Sequence, residues 1–262
     1  MSATTRQKPA AVARPRARRA WVLELWDSTV GKKQIAAVTG AILVAYVLLH
    51  MLGNLNSLYG PGSGIPRIDD YAAWLRDFGE PLLPHAFVLW VVRVVLLAAA
   101  VIHVVAVVQV RQRSARARGS VPARRIGRTF SAATMIATGG LLLFFIVFHI
   151  LQFTTLTIDV TPLEEGAVYA NLYHAFQKWY FVLLYVAGVG ALGFHLRHGI
   201  WSLAQTLGLD RPERNRAIRR TATGLSVLLV VGFLSVPLLF WTGVLDAPAD
   251  AHASADTMVV TR

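Results

Sequence analysis

The pattern of apolar and polar positions is dominated by five long, continuously apolar stretches, at roughly residues 34–57, 83–110, 129–156, 171–205 and 221–244. Each reaches the ~20 residues that a helix needs to span a hydrocarbon core of about 30 Å. The runs are continuous rather than alternating, which predicts helices and not the strands of a membrane barrel. The fourth run is too long for a simple span, so its first turns are expected in the interface, or the helix is expected to tilt. Residues 21–30 (WVLELWDSTV) predict a short amphipathic lead-in segment. Within the polar stretch 58–82, IDDYAAWLRDFG predicts a short surface helix, with Tyr71 and Trp74 at the interface. Residues 1–20 are rich in Ala, Arg and Pro, contain no apolar run, and read as a disordered basic tail. The expectation is an all-α membrane protein with five transmembrane helices in a bundle. Its divisions are a tail and lead-in at 1–30, the helical domain at 31–244 and a small-residue, disordered tail at 245–262.

Composition agrees. Of 262 residues, 55% are hydrophobic and only 15% charged, against about 25% charged in a soluble domain. The mean hydropathy is +0.51. There is no cysteine, which excludes disulfides, thiolate nucleophiles, cysteine-held zinc or iron–sulfur clusters, and haem attached through C-x-x-C-H. Histidine, carboxylate and backbone remain as ligands.

The formal net charge of +12 changes meaning once the spans are placed. Eight Lys/Arg precede the first span, seven follow the second (Arg111 to Arg128) and six follow or end the fourth (Arg197 to Arg220). These 21 share one side with four acids; the other side holds Arg67, Arg76, Lys178 and Arg262 against ten acids. Positive residues stay cytoplasmic, so the expected N-terminus is cytoplasmic and the C-terminus outside. The charge is a topology signal rather than a nucleic-acid footprint. Arg93 is the one basic residue left inside an apolar stretch.

Histidine carries the candidate chemistry. Of eight histidines, four lie within spans, one on each of the first four: His50, His103, His149 and His195. A polar residue inside a span is costly and usually functional. At 1.5 Å per residue, His50 and His149 fall in the outer half and His103 and His195 in the inner half, offset by on the order of 15 Å. Two pairs at two depths are the arrangement needed for two bis-histidine b-type haems stacked across a bilayer. Zinc fits less well, because it wants three or four ligands at one depth, and no Asp or Glu lies within the spans. Gly40 and Gly139 each precede a histidine by ten residues, at the depth of the other pair, where a small residue admits either a porphyrin or a neighbouring helix. Arg93, ten residues before His103, stands at the depth of the outer pair as a candidate partner for a haem propionate.

At these residues the chain resembles a known family. TGAILVAYVLLHMLGNLNSL around His50, VIHVVAVV around His103, LLLFFIVFHILQ around His149 and GFHLRHGIWSLAQTLG around His195 resemble the single-chain dihaem cytochrome b anchor of succinate:quinone oxidoreductases, the succinate dehydrogenases and quinol:fumarate reductases. The resemblance covers roughly residues 30–240. It implies axial ligation of the haem irons by His50 and His149 outside and by His103 and His195 inside. His198, one turn after His195, stands as alternative ligand or propionate contact. It also implies flavoprotein and iron–sulfur partner subunits on the cytoplasmic face of the inner membrane. Electrons would pass from the iron–sulfur clusters to the inner and then the outer haem, and on to a quinone, menaquinone for the dihaem class. Some fumarate-reducing relatives carry a proton-transfer glutamate two residues before the axial histidine. Gly193 stands there in this chain, which favours the succinate-oxidising direction.

Asn54, Asn56, His85 and His174 are the polar candidates for a quinone site near the outer pair. Asp69, Asp70 and Asp77 are candidates for handling protons there. The competing readings are a haem-bearing anchor of another respiratory enzyme, such as the gamma subunit of a nitrate reductase or formate dehydrogenase, a cofactor-free transporter, and a haem-free structural anchor. The first would concentrate its ligands on fewer helices, and the second would show broken helices or inverted repeats.

Overall fold

The computed structural model describes residues 21–62, 64–118, 130–158 and 163–248. The expected disordered tails at 1–20 and 245–262 fall outside these residues except at 245–248, where Leu245 is buried and the Asp246 carbonyl accepts a hydrogen bond, so the folded part runs further than expected. Most of the arginine-rich segment between the second and third apolar stretches also falls outside. Among the described residues the fold is all helix. It runs α1 (Trp21–Asp27), α2 (Thr29–Asn54), a 3-10 turn (Leu55–Tyr59), α3 (Arg67–Asp77), α4 (Phe87–Arg118), α5 (Phe130–Phe153), α6 (Val168–Phe176), α7 (Trp179–Thr206) and α8 (Pro212–Trp241).

Five of these, α2, α4, α5, α7 and α8, are long and apolar enough to cross a membrane. They contain 24 to 32 residues, or about 36–48 Å at 1.5 Å per residue. Their outward faces are apolar: Leu97, Val94 and Leu183 are 64%, 61% and 58% exposed. Apolar surface this continuous is expected against lipid rather than water.

The helices begin and end where local chemistry stops them, not where hydropathy does. Ser28 caps α2 by accepting the Gly31 amide at 2.8 Å. Beside it Lys32, almost wholly buried, lies over the Trp26 ring at 4.1 Å. The amphipathic lead-in is therefore helical and folded back on α2. Helix α8 starts with proline in its first turn, where the missing N–H costs nothing, and runs through the arginines before turning apolar. Helix α4 likewise continues past the apolar stretch into its arginine run.

The long fourth stretch is not one helix. It divides into α6 and α7 at Gln177–Lys178, so its first turns form a separate element. The Gln177 side-chain Nε2 donates to the Phe240 carbonyl at 3.0 Å, which ties the break to α8. The surface helix expected within 58–82 is α3.

Helices α3 and α6 close one end of the assembly. The α6 residue Tyr169 is fully buried; its amide donates to Asp69 Oδ1 on α3 at 2.8 Å and its hydroxyl to the Asp246 carbonyl at 2.9 Å. Ile68, Leu172, Phe176, Tyr185, Val236 and Phe240 pack around it. A second apolar seam of Met51, Leu196 and Leu229 joins α2, α7 and α8. Helix α2 packs on α4, α7 and α8, while α5 and α8 both pack on α7.

Candidate functional site

The four span histidines fall at two levels, and at one of them two rings meet. The rings of His50 (α2) and His149 (α5) approach to 5.7 Å between centroids, edge to face. His103 (α4) and His195 (α7) lie near enough to interact electrostatically. All four are half-buried. The two levels can be measured along α2: the His103 ring rests on Gly40, where an added Cβ would come within 3.2 Å of its Cε1. Gly40 is ten residues from His50, which makes the levels about 15 Å apart. Helix α5 repeats the arrangement, with Gly139 against the His195 ring at 3.4 Å. The two glycines thus sit at the level of the other pair, each beneath a histidine of a neighbouring helix.

The ring nitrogens are held from behind. His103 Nδ1 lies 3.0 Å from the Ala36 carbonyl and 3.3 Å from Thr39 Oγ1. A carbonyl only accepts, so the ring proton is on Nδ1 and Nε2 keeps its lone pair. His195 Nδ1 stands in the same relation to Thr138 Oγ1 at 3.5 Å, and its ring meets the Met135 backbone. His149 Nδ1 lies 3.0 Å from the Tyr185 hydroxyl, which donates onward to Gln152 Oε1 at 3.0 Å. Since Tyr185 spends its proton on Gln152, it accepts from His149 Nδ1–H, and again Nε2 is bare. His50 is held by rings: Tyr46 stacks on it at 5.4 Å and Phe233 lies at 5.8 Å.

This is a repeat that the histidine spacing alone does not reveal. Thr39-Gly40 precedes His50 as Thr138-Gly139 precedes His149, and the aromatic residue one turn before each, Tyr46 or Phe145, stacks on its ring. The threonines, Tyr185 and Gln152 were missed from sequence, although T-G-x9-H in two spans was there to be read.

The donor set suits a metal held between two imidazoles. The His50 and His149 rings, at 5.7 Å between centroids, stand slightly closer than bonds of about 2 Å from each to a shared ion would set them. A histidine ligand whose second nitrogen donates to a carbonyl or hydroxyl is the usual arrangement at metal sites. The glycines remove side-chain bulk beside His103 and His195.

Arg93 stands at the His50 level. Its guanidinium lies 4.9 Å from the Trp90 ring and acts electrostatically on the Tyr46 hydroxyl. His198 lies one turn beyond His195, edge-on to Trp201 at 5.8 Å, and Arg219 sits over that indole at 4.0 Å. It is His195, not His198, that faces the Gly139 cradle. Gly193 has a packing role: a Cβ there would come within 2.6 Å of Val230 on α8.

The polar candidates are dispersed into local tasks. Asn56 donates to the Gly53 carbonyl at 2.9 Å, and the Asn54 carbonyl accepts from Ser57. The His174 ring packs edge-on to Tyr173. Asp69 accepts the Tyr169 amide; partial burial pushes its carboxyl above the usual range despite that bond. Asp70 is exposed. Asp77 and Glu80 each lie 3.2 Å from His85 Nδ1, an exposed triad whose ligand atoms converge within 4.8 Å.

Fold and site together define, among the described residues, an all-helical protein with five helices long and apolar enough for a multi-pass membrane protein, a His50–His149 ring pair, and His103 and His195 at a second level. No protein-family model, curated protein or solved structure matches it.

Proposed function

We propose that the chain is the membrane-anchor cytochrome b subunit of a succinate:quinone oxidoreductase. In this reading it binds two b haems, one between His50 and His149 and one between His103 and His195. It takes electrons from an iron–sulfur partner on the cytoplasmic side and passes them to a quinone, with menaquinone as the species. The observation that carries the reading is the pairing of four histidines from four helices at two levels about 15 Å apart, three of them with a hydrogen-bonding partner at Nδ1.

A haem at each level would supply one-electron transfer at its iron. The chain's own residues do the rest. Ala36, Thr39, Tyr185 and Gln152 fix which imidazole nitrogen is presented. Gly40 and Gly139 leave room beside His103 and His195. Arg93 offers a cation to a propionate at the His50 level. The Lys/Arg excess at one end supports a cytoplasmic N-terminus, and in this reading the partner subunits dock on that side. Electrons crossing between levels move charge through the bilayer, at about 2.3 kcal/mol per charge per 100 mV, so membrane potential influences direction. Dicarboxylate chemistry belongs to the flavoprotein partner. Gly193, without a carboxylate, favours succinate oxidation.

The test is a reduced-minus-oxidised visible spectrum of the purified membrane complex, with pyridine haemochrome quantified per chain. Two protohaems are expected, with His50→Ala and His103→Ala each removing a different one. A colourless complex sinks the electron-relay reading and leaves a bare anchor or a transporter.

A further inference from the structure

The two histidine levels differ in how they are held, and the difference assigns a task to two buried residues. At the His103/His195 level the partner of the His103 ring proton is a backbone carbonyl, that of Ala36, which no side-chain substitution removes. At the His50/His149 level the partner is a side chain. Tyr185 and Gln152 are 7% and 1% exposed, and they form a chain from His149 Nδ1 through the Tyr185 hydroxyl to Gln152 Oε1, both steps 3.0 Å. The phenol is locked in orientation by rings on several sides, Phe145 and Phe176 at 5.0 Å and Phe153 at 6.1 Å. Gln152 lies one turn beyond His149 on α5, so both ends of the clamp belong to one helix and its middle to another. If packing alone mattered, phenylalanine would serve at 185. The hydroxyl adds only the hydrogen-bonded link.

The geometry points to Tyr185, oriented by Gln152, as the positioning residue that sets the electronic character of His149 and so the reduction potential of the His50/His149 level alone. This rests on the haem reading above. An Nδ1–H that donates to a fixed acceptor raises the basicity of Nε2, and a more basic ligand favours the oxidised iron. Removing the acceptor therefore shifts that level toward easier reduction. Because the other level's ring proton goes to backbone about 15 Å away, its potential stays where it was.

The experiment is a potentiometric titration of the haem absorbance in the purified complex, comparing wild type with Tyr185→Phe and Gln152→Leu. Phenylalanine keeps the ring contacts and removes only the hydroxyl. The expected result is that the wave lost in His50→Ala moves to more positive potential in Tyr185→Phe by a factor of about ten in the oxidised-to-reduced ratio, about 59 mV for one electron. The other wave is unmoved. Gln152→Leu leaves the Tyr185 proton without its acceptor and is expected to disturb the same wave and no other. A wild type without haem overturns this inference together with the proposed function. Two haems whose midpoints both stay fixed, or move equally, in both variants overturn the clamp and leave the proposed function standing.

Discussion

Replacing Gly188 by alanine tests the packing behind the His149 level without reference to any cofactor. A Cβ on Gly188 would lie 2.5 Å from Cγ and Cδ2 of Phe145. Carbon atoms rest at about 3.5–4.0 Å, so the ring must retreat by about 1 Å. Cγ is bonded directly to the Phe145 Cβ and cannot swing clear, so α5 must move or the rotamer must change. Phe145 stacks on His149 at 5.9 Å, and the displacement reaches the pair. Gly190→Ala on the same helix is the matched control, because its Cβ would meet nothing within 4 Å. Both changes gain the same helix propensity, about 1 kcal/mol, which cancels in the comparison. What remains is the overpacking of Gly188→Ala, about 1–3 kcal/mol. Thermal unfolding in detergent, followed by circular dichroism, should place Gly188→Ala at least about 2 °C below Gly190→Ala, taking about 2–4 °C per kcal/mol for a chain of this size. Equal melting temperatures for the two variants would refute the contact.

Gly193→Glu introduces a side chain whose Cβ alone reaches within 2.6 Å of Val230, and the variant is expected to accumulate poorly in membranes; normal accumulation and melting would show that α7 and α8 can part there. Gly40→Leu fills the cradle beneath His103 and should remove the haem of that level while sparing the other, read by haemochrome content. Tyr169 is pushed up to about 12, first by burial and then by the nearby Asp246 and Tyr173. The fold favours its neutral phenol, so the stability it contributes is intact below the ordinary tyrosine value of 10.0 and is lost as pH rises from there to about 12. The ultraviolet difference titration of wild type against Tyr169→Phe should therefore show a midpoint near 12, and one near 10 would mean that Tyr169 is not enclosed.

Much of this architecture was legible because membrane segments obey simple arithmetic. Length and hydropathy placed α2, α4, α5, α7 and α8, and rise per residue paired His50 with His149 and His103 with His195. The same arithmetic set Gly40 and Gly139 beside the other pair. Hydropathy marks the apolar part of a helix rather than its ends, which is why α4 and α8 extend into arginine-rich sequence. The division at Gln177–Lys178 escaped because apolar residues flank it on both sides; only the polar dipeptide marked it. Tyr185 and Gln152 were not legible at all, since a tyrosine ten residues from one histidine on its own helix signals nothing until α5 is laid beside α7. Thr39 and Thr138 looked like ordinary helix residues returning a hydroxyl to the preceding turn, which each also does.

The cradle glycines bear on how the molecule is put together. Helix α2 holds His50 for one level and Ala36, Thr39 and Gly40 for the other, and α5 does the same with His149, Thr138 and Gly139. Neither level can be completed while α2 or α5 is out of register. A slip of one helical turn in either, about 5.4 Å, would undo both levels together. The register of α2 and the register of α5 are therefore each shared by both levels, whereas a single side chain belongs to one level only.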